Sequence, residues 1–135
     1  MKVLKIKTVL VDDDIRALNR MKILLSKFPE IEVLESIESS DFAINYILEL
    51  QPDVVFLDIE MPDMTGFEML SKLSTINFQT IFTTAHSHYA IKAFRFNALD
   101  YLVKPIDRDQ LSEAINRFKQ NFNSTNNQSH VKLAL

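Results

Sequence analysis

Apolar positions fall along this chain in two alternating rhythms. Thr8 to Val11 form a short run that stops at Asp12, Asp13 and Asp14, the pattern of a buried strand. Ile15, Leu18, Met21, Leu24 and Leu25 then recur at helical spacing, with Arg16, Arg20 and Lys22 between them, until Pro29 ends the segment. Ile31 to Ile37 alternate as a second strand does, and Ser39 or Ser40 offers an N-cap to a helix carrying Phe42, Ile44, Ile47 and Leu48. After a turn at Gln51, Pro52 and Asp53, the residues Val54, Val55, Phe56 and Leu57 are apolar at every position and close on Asp58. Such a run fits a parallel strand covered on both faces. Phe67 to Leu73 predicts a short helix behind Gly66, the chain's one glycine. Thr80 to Thr84 predicts a fourth strand, Tyr89 to Phe96 a helix, and Tyr101 to Val103 a fifth strand. Leu111, Ile115, Phe118 and Phe122 line a last helix.

Strand and helix thus alternate through the chain, which predicts an α/β fold: a doubly wound parallel sheet with right-handed crossovers and helices on both faces. Ligands in that architecture bind at the carboxyl ends of the strands. Asp12 and Asp13 end the first strand and Asp58 ends the third, so three carboxylates are expected to converge on one edge. From Asn121 onward the sequence turns polar, amide-rich and aperiodic, as a linker does. The expected division is a folded domain over residues 1–122 and a linker over 123–135.

Composition narrows the functional classes. The 135 residues are 47% hydrophobic, enough for one packed core. A net charge of −3 gives no bulk attraction for nucleic acid. There is no cysteine, which removes disulfides and thiolate metal sites. The opening Met-Lys-Val-Leu-Lys-Ile-Lys interleaves lysines with apolar residues, unlike a secretory leader, and no run reaches membrane-spanning length, so a cytoplasmic location without membrane contact is expected.

The three aspartates admit two readings. An Asp run after a strand can cap the next helix. Carboxylates held close together also repel one another unless a cation lies among them, and an all-oxygen set selects Mg²⁺, with Mn²⁺ the alternative. Thr84 and Lys104 close the fourth and fifth strands, bringing a hydroxyl and an ammonium to the same edge. Acids, hydroxyl and lysine together supply every part needed to bind a phosphoryl group.

The stretches VLVDDD, VVFLDIEMPDMTGFEML, IFTTA and DYLVKPI resemble, in order and spacing, the receiver domain of two-component response regulators, and the likeness covers about Lys5 to Phe122. The resemblance implies a flavodoxin-like five-stranded sheet of order 2-1-3-4-5 with five helices. It makes Asp58 the phosphoacceptor and a metal ligand, and Asp13 a direct ligand. The backbone carbonyl of Glu60 completes the set, with Asp12 acting through water. Thr84 resembles the switch hydroxyl, Lys104 its cationic partner and Tyr101 the aromatic switch. Pro105 is similar to the proline that follows a cis peptide, and Pro62 and Gly66 shape the loop after Asp58. Glu60 and His86 stand two residues beyond Asp58 and Thr84, positions that in this family border the path of the hydrolytic water, so they are expected to tune autodephosphorylation. The implied partner is a sensor histidine kinase, and the domain is a signalling phosphoacceptor rather than an enzyme.

HYAIKAFRFNALDYLVKP, from His88 to Pro105, resembles receivers coupled to LytTR-type DNA-binding domains, the LytR/AlgR branch. The closing Val-Lys-Leu-Ala-Leu is similar to the first strand of such a domain. The resemblance implies that DNA is bound only through a C-terminal effector. Phosphorylation would promote homodimerisation through the face made by helix four, strand five and helix five, where Lys92, Arg95, Asp107, Arg108 and Asp109 either form ion pairs across the dimer or simply make a solvated face. A magnesium-dependent phosphohydrolase is the enzyme alternative, but it needs a substrate cap for which the chain has no room. A receiver that signals without phosphate is the other alternative, and the intact set Asp12, Asp13, Asp58, Thr84 and Lys104 argues against it.

Overall fold

A computed structural model describes the backbone of residues 5–134 and the side chains of residues 5–121. The elements follow the order β1 (Ile6–Val11), α1 (Ile15–Leu25), β2 (Ile31–Ile37), α2 (Ser40–Leu50), β3 (Val54–Asp58), α3 (Gly66–Ser71) and β4 (Gln79–Thr84). A 3₁₀ turn (Ser87–Tyr89), α4 (Ala90–Arg95), β5 (Asp100–Val103) and α5 (Arg108–Ala134) complete the chain. All the strands are parallel and lie in the order β2-β1-β3-β4-β5. This is the expected doubly wound fold, with β1 and β3 adjacent at its centre.

Alternation along the strands divides the core into two layers. Val9, Val11, Val55, Leu57 and Phe82 pack against Ala43 and Ile47 of α2, Phe67 and Leu70 of α3, and Ala93 of α4. Leu10, Val54, Phe56, Ile81 and Leu102 face the other way, onto Leu18, Met21 and Leu25 of α1 and Leu111, Ile115 and Phe118 of α5. Every residue of β3 is buried, as an apolar central strand requires.

Several boundaries differ from the sequence reading. Tyr89 to Phe96 is not one helix: a 3₁₀ turn precedes α4, and Tyr89 sits at φ −91°, ψ 0° with its N–H donated to the Tyr101 hydroxyl instead of a helical carbonyl. α4 ends where Asn97 adopts φ 59°, a left-handed conformation that Asn tolerates. Ser39 occupies the N-cap of α2 but makes no side-chain capping bond, and Ser40 lies inside the helix, buried. α5 carries helical backbone through the stretch expected to be a linker from residue 123, since no Gly or Pro follows Pro105 to stop it. Side chains from Phe122 on lie outside the described residues; the backbone of residues 131–134, expected to open an effector domain as a strand, is helical instead, and Leu135 lies outside the described residues.

Candidate functional site

β1 and β3 are neighbours, with Val11 paired to Leu57, so the residues after Val11 meet Asp58 across the carboxyl edge of the sheet. One carboxylate oxygen from each of Asp12, Asp13 and Asp58 lies within 4.8 Å of the other two. Asp12 and Asp58 are buried and Asp13 is exposed. The capping reading holds for Asp14, whereas Asp12 and Asp13 join Asp58 in a cluster that could hold a metal ion. Asp14 caps α1, accepting the Arg16 N–H at 2.9 Å, and that bond holds its carboxyl below the usual range. Asp12 instead accepts the Asp14 N–H at 2.9 Å through one oxygen and Lys104 Nζ at 2.8 Å through the other.

Lys104 follows β5, whose Val103 pairs with Thr84, and its own N–H donates to the Thr84 carbonyl at 2.7 Å. Its Nζ turns into the acidic edge and also reaches Asp58 Oδ1 at 3.3 Å. The Lys104–Pro105 peptide is cis, as expected. Burial alone would lower the lysine pKa, but the bond to Asp12 and the charges of Asp58 and Asp12 outweigh it and the net shift is upward. Asp58 moves the opposite way to a salt-bridged acid. Burial, and after it the charge of Asp12, push its carboxyl up to about 7 despite Lys104.

One ammonium therefore does not offset the acids gathered here. A hard cation bound by oxygen alone fits both the donor set and the excess charge, and Mg²⁺ or Mn²⁺ meets that description.

The β3–α3 loop passes directly under this edge. Gly66 donates its N–H to the Ile59 carbonyl at 2.9 Å, and a Cβ there would stand 2.6 Å from the Asp58 carbonyl oxygen and 3.1 Å from Leu57 Cγ. Only glycine allows that approach. Thr65 and Glu68 form a capping box that fixes the start of α3, and Pro62 lies exposed in the loop between.

On the other side of Asp58, Thr84 is fully buried and closes β4. Its oxygen lies 2.7 Å from both carboxylate oxygens of Glu60, to which its single proton is donated, and it accepts the His86 N–H at 3.0 Å. The His86 carbonyl accepts the Tyr101 hydroxyl, which in turn accepts the Tyr89 N–H at 3.1 Å. Thr84 and Tyr101 are thus joined through the backbone of His86. The His86 ring lies outward, 5.5 Å from the ring of His88 and 6.5 Å from that of Tyr89. The Glu60–Thr84 bond was missed in the sequence, although β3 and β4 being neighbours puts the residues after Asp58 within reach of Thr84.

Residues 8–116 match the family described as the response regulator receiver domain. The chain belongs to the response regulator receiver family. Among curated proteins, this receiver is 40% identical over 116 residues to the transcriptional regulatory protein BtsR of Salmonella typhimurium, covering 85% of this chain and 48% of that protein. It is 32% identical over 117 residues to the sensory transduction protein LytT of Bacillus cereus, covering 85% and 48%. The chain therefore spans about half the length of the curated relatives it matches. Among solved structures, the receiver superposes on a DNA-binding response regulator of the LuxR family from Staphylococcus aureus with a TM-score of 0.75. Identity is 29%, covering 83% of this chain and 97% of that one. This is the receiver domain of a two-component response regulator, and its relatives include LytT and LytR regulators. Among the described residues no helix is long and apolar enough to cross a membrane.

Proposed function

We propose that this receiver takes a phosphoryl group onto Asp58 from the phosphohistidine of a sensor kinase and signals through the state so formed. The observation that carries the reading is the placement of the Asp58 carboxylate, buried, 3.3 Å from Lys104 Nζ and within 4.8 Å of oxygens from Asp12 and Asp13. Mg²⁺ held by Asp13, Asp58 and the Glu60 carbonyl, with Asp12 acting through water, would supply the positive charge that draws anionic phosphate into an acidic pocket. Asp58 attacks the phosphorus in line. The P–N bond of the donor breaks as the new P–O bond forms, and the donor ring, protonated on its other nitrogen, leaves as neutral imidazole. Lys104 holds the phosphoryl oxygens by charge. Thr84 then donates its hydroxyl to them, with Tyr101 following through His86.

Water ends the state by cleaving the acyl phosphate, which releases inorganic phosphate and returns the Asp58 carboxylate. Glu60 and His86 border its approach and set the lifetime, so dephosphorylation rates are expected to change in Glu60→Gln and His86→Ala. The output is a population shift of the α4–β5–α5 face toward a homodimer that pairs LytTR-type DNA-binding domains in the full-length regulator, in the cytoplasm. Sedimentation with Mg²⁺ and beryllofluoride is expected to show that dimer, and an unchanged monomer counts against this output.

Intact-mass measurement after incubation with acetyl phosphate and Mg²⁺ tests the acceptor. One phosphoryl adduct is expected on the wild type and none on Asp58→Asn. An adduct on both would move the acceptor to another residue.

A further inference from the structure

Thr84 is buried and has a single hydroxyl proton. That proton is directed at Glu60, whose two carboxylate oxygens both stand 2.7 Å from Thr84 Oγ, while the oxygen accepts the His86 N–H at 3.0 Å. A hydroxyl donates one hydrogen bond, so a proton committed to Glu60 is withheld from an oxyanion on Asp58. The strands make the contact possible. β3 and β4 pair with Asp58 beside Thr83, so the residue two beyond Asp58 reaches back to the residue that closes β4. An ionised acceptor makes the bond a strong one of its kind.

On the reading that Asp58 accepts a phosphoryl group, we infer that the Glu60 carboxylate is an internal competitor for the Thr84 hydroxyl and holds the resting domain until a phosphoryl oxygen displaces it. The side chain of Glu60 is then a positioning residue with a task separate from that of its backbone carbonyl. Its grip extends beyond Thr84. The backbone of His86 is held on both sides, its N–H on Thr84 and its carbonyl on the Tyr101 hydroxyl, and that hydroxyl holds the Tyr89 N–H at the start of α4. Release of Thr84 from Glu60 frees the first link of a chain that ends at the α4 face.

Removing Glu60 also removes a negative charge beside an incoming anion, so a single variant does not separate the two effects. A double-mutant cycle does. Beryllofluoride affinity at saturating Mg²⁺ is measured by calorimetry for the wild type, Glu60→Ala, Thr84→Ala, Thr84→Ser and the two double variants. Glu60→Ala is expected to tighten binding about ten-fold, the scale of one hydrogen bond to a charged group. The hydroxyl kept by Thr84→Ser preserves most of that gain, and Thr84→Ala loses most of it. An equal gain in the Thr84→Ala background, or no gain in the wild type, overturns the competition. A wild type that takes up no beryllofluoride overturns the phosphoacceptor reading itself, and the competition with it.

Discussion

The two halves of the carboxyl edge satisfy their polar groups in opposite ways. On the β1–β3 side, Asp12, Asp13 and Asp58 crowd their oxygens within 4.8 Å, and among the described residues Lys104 is the one cation paired with them. On the β4–β5 side, Glu60, Thr84, His86, Tyr101 and Tyr89 hand hydrogen bonds from one to the next, each donor matched to an acceptor. The first half holds more acid than its one ammonium offsets and could take a cation. The second is already complete, and any change of state must break bonds in it before making new ones. A pocket built this way couples a site that attracts ligand to a neighbour that resists rearrangement, a combination suited to two-state switching.

Asp58 carries the largest expected effect. Because its carboxyl is raised to about 7 from an ordinary value near 3.8, ionising it costs folding free energy. That cost is absent below about pH 4, accumulates as pH rises toward 7 and is complete above it, at up to about 1.4 kcal/mol per pH unit. Without metal, Asp58→Asn is therefore expected to stabilise the domain at pH 8 by roughly 2 to 4 kcal/mol and to lose that advantage at pH 4, in urea denaturation. Saturating Mg²⁺ should flatten the pH dependence of the wild type. A pH-independent effect of Asp58→Asn would show that charge is not what sets this half apart.

Gly66→Ala tests the loop beneath the acids. Its Cβ would meet the Asp58 carbonyl oxygen at 2.6 Å, so strain of about 2 kcal/mol is expected along with slower phosphoryl uptake from acetyl phosphate. Normal stability and uptake would mean that the loop does not set the position of Asp58. On the other half, Tyr101→Phe removes one hydroxyl that both donates and accepts, and should cost about 1 kcal/mol in thermal or urea unfolding while leaving the response to pH intact. The smallest effect is expected at Arg117, which pairs with Asp100 at the margin of the same face but is half exposed. Arg117→Ala should change stability by only about 0.5 kcal/mol, vanishing in high salt.

Much of the frame was legible because burial imposes simple patterns. Val54 to Leu57 are apolar throughout since both sheet faces are covered, and β3 follows that run and closes on Asp58. Asp12, Asp13, Asp58 and Lys104 were readable as strand-end residues, and the sheet order brings them together. What escaped the sequence depends on contacts between loops. Glu60 and Thr84 are 24 residues apart and neither falls in a periodic pattern that pairs them. Asp14 and Asp12 look alike in a run of three, yet one caps α1 and the other binds Lys104. The broken start of α4 was hidden for a similar reason: Tyr89 has an acceptor in the Tyr101 hydroxyl, and a side chain from β5 overrides a helical pattern that is sound locally.

The claim beneath all of this is that the crowded half of the edge delivers its chemistry at Asp58. Borohydride trapping after acetyl phosphate treatment tests it residue by residue, because an aspartyl phosphate is reduced to homoserine, which peptide mass mapping locates. Homoserine at position 58, formed with Mg²⁺ and suppressed by chelation, is the predicted result. Homoserine at position 12 or 13, or none anywhere with Mg²⁺ present, would mean that Asp58 is not the acceptor.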